Sequence, residues 1–427
     1  MGTARRGTRR TTVARHGRLT SPRAAMQLLT LLGVAASVMV VSLVAVSSFT
    51  LFSSVAAVAD KAIVLEGDPA APPAIGAIEG GTNVLLVGTD SCEGQDLATF
   101  ARCGIDDDGL ERNDVTILVN ISDNPRRVTV VSFPRDMLVG IPSCPDGDGG
   151  RHPAMSQMPM NASYVYGGLA CTALTVEELT GGDVQFAAAI RWTGVIAMSD
   201  AIGGVDVCVA GDISDPHTGL QLTAGDHTLQ GTQALQFLRI RHGIGDGSDL
   251  GRISNQQQFM SSLVRRMQSD ETFTNPAILI DLATTALRQV NQGQLVLDQN
   301  LANPTLMVQL AMALKGVPQN DIVFVQYPTR YAPGATPDNN LVLPVDTAGD
   351  ALFAAIAANE PLELTGAPSQ GYGVEVVEPA PDEPPAVEGD PPPSDEPAVD
   401  ATAVPLPSQI AGTTAEQVTC TVPEGRF

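Results

Sequence analysis

RNDVTILVNISDNPRRVTVVSFPRD, residues 112–136, is the stretch that decides the fold. It contains two runs rich in β-branched residues, 115–121 and 128–133, which a Ser-Asp-Asn-Pro turn separates. This pattern predicts two adjacent antiparallel strands. Four charged residues flank the strands: Arg112, Asp114, Arg135 and Asp136. Antiparallel pairing carries all four to one edge of a sheet and indicates a site there, although charges also collect at strand ends because strand ends are solvated.

The surrounding sequence predicts an α/β fold. Residues 83–88, NVLLVG, form a continuous apolar run that is typical of a buried central strand. Ligands gather beyond the carboxyl ends of such strands, so Asp90 is a candidate site residue, with a turn-forming role as the alternative. A strand, helix, strand pattern follows at 186–190, 193–202 and 205–209. We predict a central mixed β-sheet covered by helices on both faces.

Residues 249–268 predict the most informative helix. At about 100° per residue, Asp249, Arg252 and Gln256 share one face. Apolar residues continue the same stripe: Met260, Leu263, Val264 and Met267. We therefore expect the helix to begin in a polar site, with Asp249 as N-cap, and to end in the core. The alternative is a capped helix with exposed early turns.

The N-terminal region predicts a membrane anchor. Residues 1–25 contain seven arginines and no acid, and residues 26–52 are apolar enough to cross a bilayer of roughly 30 Å, which takes about 20 residues. We expect a basic cytoplasmic tail (1–25), one transmembrane helix (26–52), and an extracytoplasmic remainder. A cleavable signal peptide is the alternative, but its apolar region is typically far shorter.

The part after the anchor is strongly acidic and divides by composition. Residues 53–80 are predicted to form a stalk, 81–365 an extracytoplasmic catalytic domain, and 366–427 a disordered tail rich in proline and acids. Without the seven tail arginines, 17 basic residues oppose 47 acids, a formal charge of −30. Such a surface repels nucleic acid, so we expect no nucleic-acid partner.

Six cysteines in an exported chain indicate disulfides rather than a metal site. Short loops favour Cys92 with Cys103 and Cys144 with Cys171, which leaves Cys208 and Cys420. Six cysteines allow 15 connectivities, and the sequence does not choose among them. Zinc is disfavoured because no CxxC or CxxH spacing occurs.

The candidate site combines acids with guanidinium groups: Asp90, Asp114, Asp249, Arg112, Arg135, Arg239, Arg241 and Arg252. Magnesium takes one or two carboxylates together with substrate phosphate oxygens. Guanidinium groups bind phosphates and neutralise charge during phosphoryl transfer. The set predicts a magnesium-assisted phosphotransferase that acts on a diphosphate. Glycoside hydrolysis is the alternative, but five arginines would keep both carboxylates ionised and remove the general acid. Serine hydrolase, zincin and P-loop motifs do not occur.

Seven ordered motifs within about residues 80–270 carry a family resemblance: NVLLVGTDS, RNDVTILVNI, VVSFPRD, MNASYVYGG, AIGGVDV, LQGTQALQFLRIR and DLGRISNQQQF. Behind a basic tail and an apolar segment, they resemble the LytR-CpsA-Psr family, with weaker similarity to about residue 360. The resemblance implies a diphosphate-cleaving phosphotransferase that moves a glycopolymer from a polyprenyl diphosphate carrier to a peptidoglycan acceptor.

The resemblance also implies roles for individual residues. Asp90 and Asp114 correspond to the magnesium-binding acids. The arginines that correspond to the diphosphate-binding residues are Arg112, Arg135, Arg239 and Arg241. The residues that correspond to the group that closes the site are Asp249, Arg252 and Gln256. The catalytic set is then Arg112, Asp114, Arg135 and Arg241. Two positions depart from the family pattern, because Cys92 and Asn255 stand where many members have arginine.

Alternative functions fit parts of the sequence. The chain could be a polyprenyl-phosphate-binding module with little or no transferase activity, or a soluble hydrolase if the anchor is cleaved. Transcriptional attenuation, which the family name suggests, gains no physical support from an anchored chain with an acidic exterior. For the carrier lipid we expect an apolar pocket, with Ile196, Phe237 and Phe259 as candidate lining residues.

Overall fold

The computed structural model describes residues 58–59, 61–66, 81–95, 100, 103, 105, 108–269, 275–335, 340–377 and 403–426. The chain divides after Ser54, and all of these residues belong to its second unit, Val55–Phe427. The predicted cytoplasmic tail and membrane span lie outside the described residues. Within the described ranges, none of the helices combines the length and the apolar character needed to cross a bilayer.

Helices separate several groups of consecutive strands along the described chain. In chain order, the strands are β1 (Thr82–Thr89), β2 (Asn113–Ile121), β3 (Val128–Phe133), β4 (Leu138–Ile141), β5 (Cys144–Pro145), β6 (Arg151–His152), β7 (Met155–Pro159), β8 (Phe186–Ile190), β9 (Val205–Val209), β10 (Ile213–Asp215), β11 (Leu220–Leu222), β12 (Gly225–Leu229), β13 (Leu295–Leu297), β14 (Ile322–Gln326), β15 (Thr329–Tyr331), β16 (Val342–Pro344), β17 (Leu362–Glu363), β18 (Val374–Val376), β19 (Val404–Pro405), β20 (Gly412–Thr414) and β21 (Thr419–Thr421). The helices are α1 (Ala162–Thr180), α2 (Trp192–Ala201), α3 (Gly231–Arg239), α4 (Asp249–Gln268), α5 (Pro276–Asn291), α6 (Pro304–Lys315) and α7 (Asp346–Ala357).

The central sheet has seven strands within the described residues, in the order β13-β8-β1-β2-β3-β14-β20. Strand β2 is antiparallel to both β1 and β3, whereas β8 is parallel to β1 and β14 is parallel to β3. The sheet is therefore mixed, as predicted. These directions bring the ends of β1, β3, β8 and β14 and the start of β2 to one edge.

Apolar side chains pack on both faces of the central sheet. Leu85 and Val131 belong to one core cluster, which includes residues of α1 and α7. Their chain neighbours Val84 and Val130 belong to a second cluster, which includes residues of α5 and α6. Successive side chains of a strand point to opposite faces, so β1 and β3 contribute to both clusters. The prediction of helices on both faces is confirmed.

A second sheet has the order β12-β9-β21-β18. The predicted strand, helix, strand unit is present as β8, α2 and β9. Its second strand, however, joins this smaller sheet instead of the central one. In that sheet β9 pairs with β12, which is near in sequence, and with β21, which is far away and which the local pattern of the unit does not specify.

The C-terminal region corrects one prediction. Its composition predicts a disordered tail over 366–427, but residues 403–426 are folded onto the domain. Strand β20 pairs with β14, and β21 lies between β9 and β18. Leu406, Ile410 and Ala411 are buried in this segment. The average composition hides this short apolar run, because most of the prolines and acids lie in 378–402, outside the described residues.

Three disulfides join the six cysteines. Cys92 pairs with Cys103 and Cys144 pairs with Cys171, which confirms the two pairings that short loops favour. The remaining pair, Cys208 with Cys420, links β9 to β21 across a sequence separation of 212. This third disulfide fixes the C-terminal segment to the second sheet.

Candidate functional site

One edge of the central sheet gathers the charged residues of β1, β2 and β3. Thr89 lies opposite Asn113 in the β1–β2 pair, so Asp90 and Arg112 are neighbours just beyond it. In the β2–β3 pair, Thr116 lies opposite Phe133, which brings Asp114 level with Arg135. The prediction that antiparallel pairing collects these charges on one edge is confirmed.

Arg135 is the centre of a group of ion pairs. Its Nη1 donates a hydrogen bond to Oδ1 of Asp114 at 2.6 Å. Its Nε lies 3.5 Å from a carboxylate oxygen of Asp136 and 3.5 Å from one of Asp249. The guanidinium group therefore faces three acids. We name Asp114, Arg135, Asp136, Asp249 and Arg252 the inner cluster.

The start of α4 completes the inner cluster. Ser248 caps the helix, because its Oγ accepts the backbone N–H of Gly251 at 3.2 Å. The predicted N-cap, Asp249, is instead the first helical residue. Its Oδ1 lies 2.6 Å from Nη2 of Arg252, and the two side chains are only 3% and 5% exposed. The same Nη2 donates to the backbone carbonyl of Asp114 at 3.0 Å, so α4 is joined directly to β2.

Two acids of the inner cluster have pKa values that are shifted in opposite directions. Burial acts to raise the pKa of Asp114, but the positive charges of Arg135 and Arg252 act against it, and the pKa lies below its ordinary value. For Asp136, burial and the negative charge of Asp249 raise the pKa. The cluster therefore keeps Asp114 ionised and makes a charge on Asp136 less favourable.

Asp90 lies at the other end of this edge and is half-buried. Its Oδ1 accepts the backbone N–H of Arg112 at 2.8 Å, and its own N–H donates to the carbonyl of Arg112 at 3.1 Å. Burial and the negative charge of Asp114 raise the pKa of Asp90 to about 6. Two neighbouring carboxylates that repel each other form a place that a cation would stabilise.

Three further predicted arginines lie around the inner cluster, and we name Arg112, Arg239 and Arg241 the outer arginines. Nη2 of Arg112 lies 2.6 Å from Oδ2 of Asp108, and this pair is partly exposed to solvent. Arg239 is the last residue of α3, and its guanidinium carbon lies 4.1 Å from the ring centroid of Trp192.

Arg241 is held differently from the other two outer arginines. Its Nε is buried and has no hydrogen-bond partner among the described residues. Burial, together with the positive charges of Arg135 and Arg252, lowers its pKa, although the charge of Asp249 opposes this. A buried guanidinium N–H without an acceptor is a donor that an anionic ligand can satisfy.

Gln256 lies on the predicted face of α4, but its amide group binds the protein backbone. Nε2 of Gln256 donates to the carbonyl of Leu238 at 2.9 Å. The adjacent Asn255 donates to the carbonyl of Phe237 at 2.7 Å and accepts the hydroxyl of Thr421 at 2.5 Å. These bonds fix α4 to α3, which ends at Arg239, and to β21. Asn255 therefore joins structural elements, and Cys92, the other departure, is bound in a disulfide.

The sequence analysis places Asp136 at this edge but leaves it out of the candidate set, and it misses a second charged group altogether. Arg191 follows the end of β8 and donates from Nε and Nη2 to the two carboxylate oxygens of Glu111, at 2.9 Å and 2.6 Å. Its Nη2 also binds Glu93 at 3.0 Å. The available signal was position, because a parallel neighbour of β1 ends at the same edge as Asp90.

Two residues predicted to line a lipid pocket belong to the core. The rings of Phe237 and Phe259 lie 6.3 Å apart and are buried in a third cluster together with residues of the second sheet. They hold α3 and α4 against that sheet. Ile196, on α2, is half-buried.

The fold and site thus define a mixed α/β protein with acids and arginines at one sheet edge. The chain belongs to the LytR_cpsA_psr family, whose model matches residues 50–349. This range contains Asp90, the inner cluster and the outer arginines. The family resemblance carried by the seven motifs is confirmed.

Two relatives show the extent of the similarity. The cell wall biosynthesis protein LcpA of Corynebacterium glutamicum is 29% identical over 331 residues, which cover 72% of this chain and 60% of LcpA. TagU of Enterococcus faecalis, named a polyisoprenyl-teichoic acid–peptidoglycan teichoic acid transferase, is 29% identical over 177 residues, or 40% of this chain and 54% of TagU. The chain therefore spans 54% to 60% of the length of these relatives.

A solved structure supports the fold. Protein gbs0355 of Streptococcus agalactiae aligns with a TM-score of 0.51 and 20% identity, and the alignment covers 65% of this chain and 87% of that protein. At this level of identity the likeness concerns the architecture alone, a central mixed sheet with helices.

Proposed function

We propose that this chain is a membrane-anchored phosphotransferase that transfers a glycopolymer from a polyprenyl diphosphate carrier to peptidoglycan. Family membership and the names of the relatives, which refer to cell wall biosynthesis and teichoic acid transfer, support this proposal. The observation that carries it is the meeting of acids and arginines at one sheet edge. We place the N-terminus in the cytoplasm and the catalytic domain outside, because of the apolar run at 26–52 and the arginines before it.

The outer arginines are the groups that we assign to the diphosphate. Guanidinium groups present several N–H donors in a plane, which suits phosphate oxygens. The buried Nε of Arg241 lacks an acceptor among the described side chains, and Arg112 is partly exposed with Asp108 as its partner. A diphosphate would supply acceptors to the first and compete with an exposed carboxylate for the second. Their positive charges would also stabilise negative charge that shifts onto the leaving phosphate.

Magnesium is the cofactor that we propose, with Asp90 and Asp114 as its protein ligands. The described residues contain no group of three or more His, Cys, Asp or Glu that could hold a metal alone. Magnesium fits this donor set because it commonly takes one or two carboxylates and completes its shell with water and substrate phosphates. Repulsion by Asp114 contributes to the raised pKa of Asp90, and a bound cation would remove this penalty. When bound, the ion would neutralise charge on the phosphates.

The inner cluster has a separate task in this proposal. Arg135 holds the carboxylate of Asp114 in one orientation through their 2.6 Å hydrogen bond. Asp249 and Arg252 fix Arg135 and β2 to the start of α4. Preorganised charges cost little reorganisation during the reaction, so this rigidity contributes to catalysis as well as to stability. The catalytic set that we propose is Arg112, Asp114, Arg135 and Arg241.

The test uses the full chain in detergent micelles with a polyprenyl diphosphate that carries a short saccharide, and with peptidoglycan fragments as acceptor. We expect magnesium-dependent release of polyprenyl phosphate and appearance of the saccharide, linked through the remaining phosphate, on the acceptor. Chelation of divalent cations should stop both. If the chain binds the lipid but releases no polyprenyl phosphate in the presence of magnesium, the transferase proposal is wrong and a lipid-binding module remains.

A further inference from the structure

The contact between Arg239 and Trp192 joins two helix ends. Arg239 is the last residue of α3, and Trp192 is the first residue of α2. The guanidinium carbon lies 4.1 Å from the centroid of the indole ring, well within the roughly 6 Å at which a cation is attracted to an aromatic face. Tryptophan has the most attractive face of the aromatic side chains. The indole therefore fixes where the arginine can lie.

The residues on either side of Trp192 are themselves fixed. Arg191 makes two hydrogen bonds to Glu111, and the hydroxyl of Thr193 donates to the amide oxygen of Gln95 at 2.5 Å. Three consecutive residues at the start of α2 thus have partners outside the helix. The backbone on both sides of the indole is therefore fixed, as a positioning residue requires. We call Arg191, Thr193 and their partners Glu111 and Gln95 the base of the indole.

The disulfide loop after Asp90 contributes to this base. The loop is closed by the Cys92–Cys103 bond, and it carries Gln95 and Phe100. The Phe100 ring centroid lies 5.0 Å from that of Trp192. The segment that follows Asp90 therefore also packs against the residue that holds Arg239, and it couples the two ends of the proposed site.

Arg239 lies at the end of α3, which α4 holds in place. The side-chain amides of Asn255 and Gln256 on α4 donate to the carbonyls of Phe237 and Leu238. Arg239 therefore directly follows the residues that join α3 to the helix whose start completes the inner cluster. Removal of the indole would leave the arginine charged but without the aromatic face that restricts its orientation.

We infer that Trp192 is a positioning residue, whose indole face holds the Arg239 guanidinium in the orientation that binds the diphosphate. This inference rests on the proposed function. An arginine that is already oriented loses less conformational freedom when the ligand binds, so the indole contributes to affinity without touching the ligand. Its loss should weaken diphosphate binding by about 5- to 30-fold, the range that cation–π attraction at partly desolvated sites supports.

Trp192 is the only tryptophan in the sequence, so the indole fluorescence reports on the surroundings of this one residue. The experiment titrates the full chain in detergent micelles with farnesyl diphosphate and magnesium, and measures both the Kd and the indole emission. The variants are Trp192→Leu, Trp192→Phe, Arg239→Met and the double variant Trp192→Leu/Arg239→Met. Arg330→Met is the matched control, since it removes an exposed arginine of β15 that belongs to neither the inner cluster nor the outer arginines. Circular dichroism melts confirm that each variant is folded.

We expect Trp192→Leu and Arg239→Met each to raise the Kd, Trp192→Phe to restore it to within about threefold of wild type, and the double variant to bind no more weakly than Arg239→Met. Ligand should change the indole emission of wild type and of Arg330→Met, but not that of Arg239→Met. Additive effects of the two substitutions, or an unchanged Kd in Trp192→Leu, overturn this inference alone. A wild-type chain that does not bind the probe overturns the proposed function, and this inference with it.

Discussion

The inner cluster and the outer arginines carry the same kinds of charge, but the protein holds them differently. In the inner cluster the carboxylates of Asp114, Asp136 and Asp249 each lie within 3.5 Å of a guanidinium nitrogen. Among the outer arginines, Arg112 pairs with an exposed acid and Arg239 lies on an aromatic face. The acids and arginines of the inner cluster pair with one another, whereas we propose that the outer arginines bind a ligand.

This difference separates stability from ligand binding. Removal of one partner of a buried ion pair leaves an uncompensated charge in a poorly solvated place, which commonly costs about 3–5 kcal/mol. An exposed pair contributes far less. Substitutions in the inner cluster should therefore lower both stability and activity, and substitutions of the outer arginines should lower ligand binding alone.

Asp114→Asn is expected to have the largest effect, because Asp114 belongs to both functions. Turnover should fall by about 10³-fold, since a proposed metal ligand is lost and a preorganised charge is removed. The free energy of unfolding should fall by about 3 kcal/mol, because Arg135 loses its partner at 2.6 Å. Polyprenyl phosphate release and urea denaturation measure the two quantities. Asp108→Asn, in the exposed partner of Arg112, is the control and should leave the denaturation midpoint unchanged.

Arg252→Met should act mainly on stability. It leaves the buried Asp249 without its partner at 2.6 Å and breaks the bond to the carbonyl of Asp114. We expect a loss of about 3 kcal/mol in urea denaturation. Adding Asp249→Leu should recover part of this loss, because the second substitution removes the buried charge. If Arg252→Met alone is as stable as wild type, the inner cluster is not a stabilising unit.

Arg241→Ala should give the opposite result. The buried Nε has no acceptor among the described residues, so its removal should leave the melting temperature unchanged or raise it. Binding of farnesyl diphosphate should weaken by about 10- to 100-fold, the contribution of a charge-assisted hydrogen bond to a phosphate. Calorimetric titration measures this change. Arg330→Ala, at an exposed arginine of β15, provides the comparison and should bind the probe as wild type does.

The sequence predicts much of the inner cluster because its geometry depends on short-range patterns. Two strands joined by a turn place Asp114 level with Arg135, and the 3.6-residue period of α4 places Asp249 beside Arg252. The predicted bounds of that helix, 249–268, are those observed. The N-cap was wrong by one residue, since Ser248 and Asp249 are both good caps and only the hydrogen bond from Gly251 distinguishes them.

Features that depend on long-range contacts could not be predicted from the sequence. The bonds from Asn255 to Phe237 and Thr421 require that α3 and β21 both lie against α4, and local periodicity does not specify this. The contact of Arg239 with Trp192 likewise joins residues 47 positions apart. The folded segment 403–426 was missed because it shares an acidic, proline-rich region with 378–402, and composition averages the two.

Asp90→Asn should have the smallest effect on the protein. It tests whether Asp90, the acid beside the outer arginines, differs from the acids of the inner cluster. Burial and Asp114 raise the pKa of Asp90 from 3.8 to about 6 in the folded chain. A carboxyl with a raised pKa binds its proton more tightly when folded, so its contribution to stability is complete below pH 3.8 and is lost as the pH rises through about 6. Without magnesium, the variant should therefore gain a few degrees in melting temperature over wild type between pH 4.5 and 7.5.

The response of the melting temperature to magnesium tests the same prediction in a second way. At pH 7.5 the wild-type Asp90 is charged and repelled by Asp114, so the cation should raise the melting temperature of wild type by relieving that repulsion. At pH 4.5 Asp90 is protonated and the increase should be small, and Asp90→Asn should respond weakly at both pH values. Asp123→Asn, at an exposed acid, controls for the change in net charge. Identical pH profiles for Asp90→Asn and wild type would mean that Asp90 is solvated like an ordinary surface acid. Only the inner cluster would then supply acids to the site, and the proposed magnesium position would lose one of its two ligands.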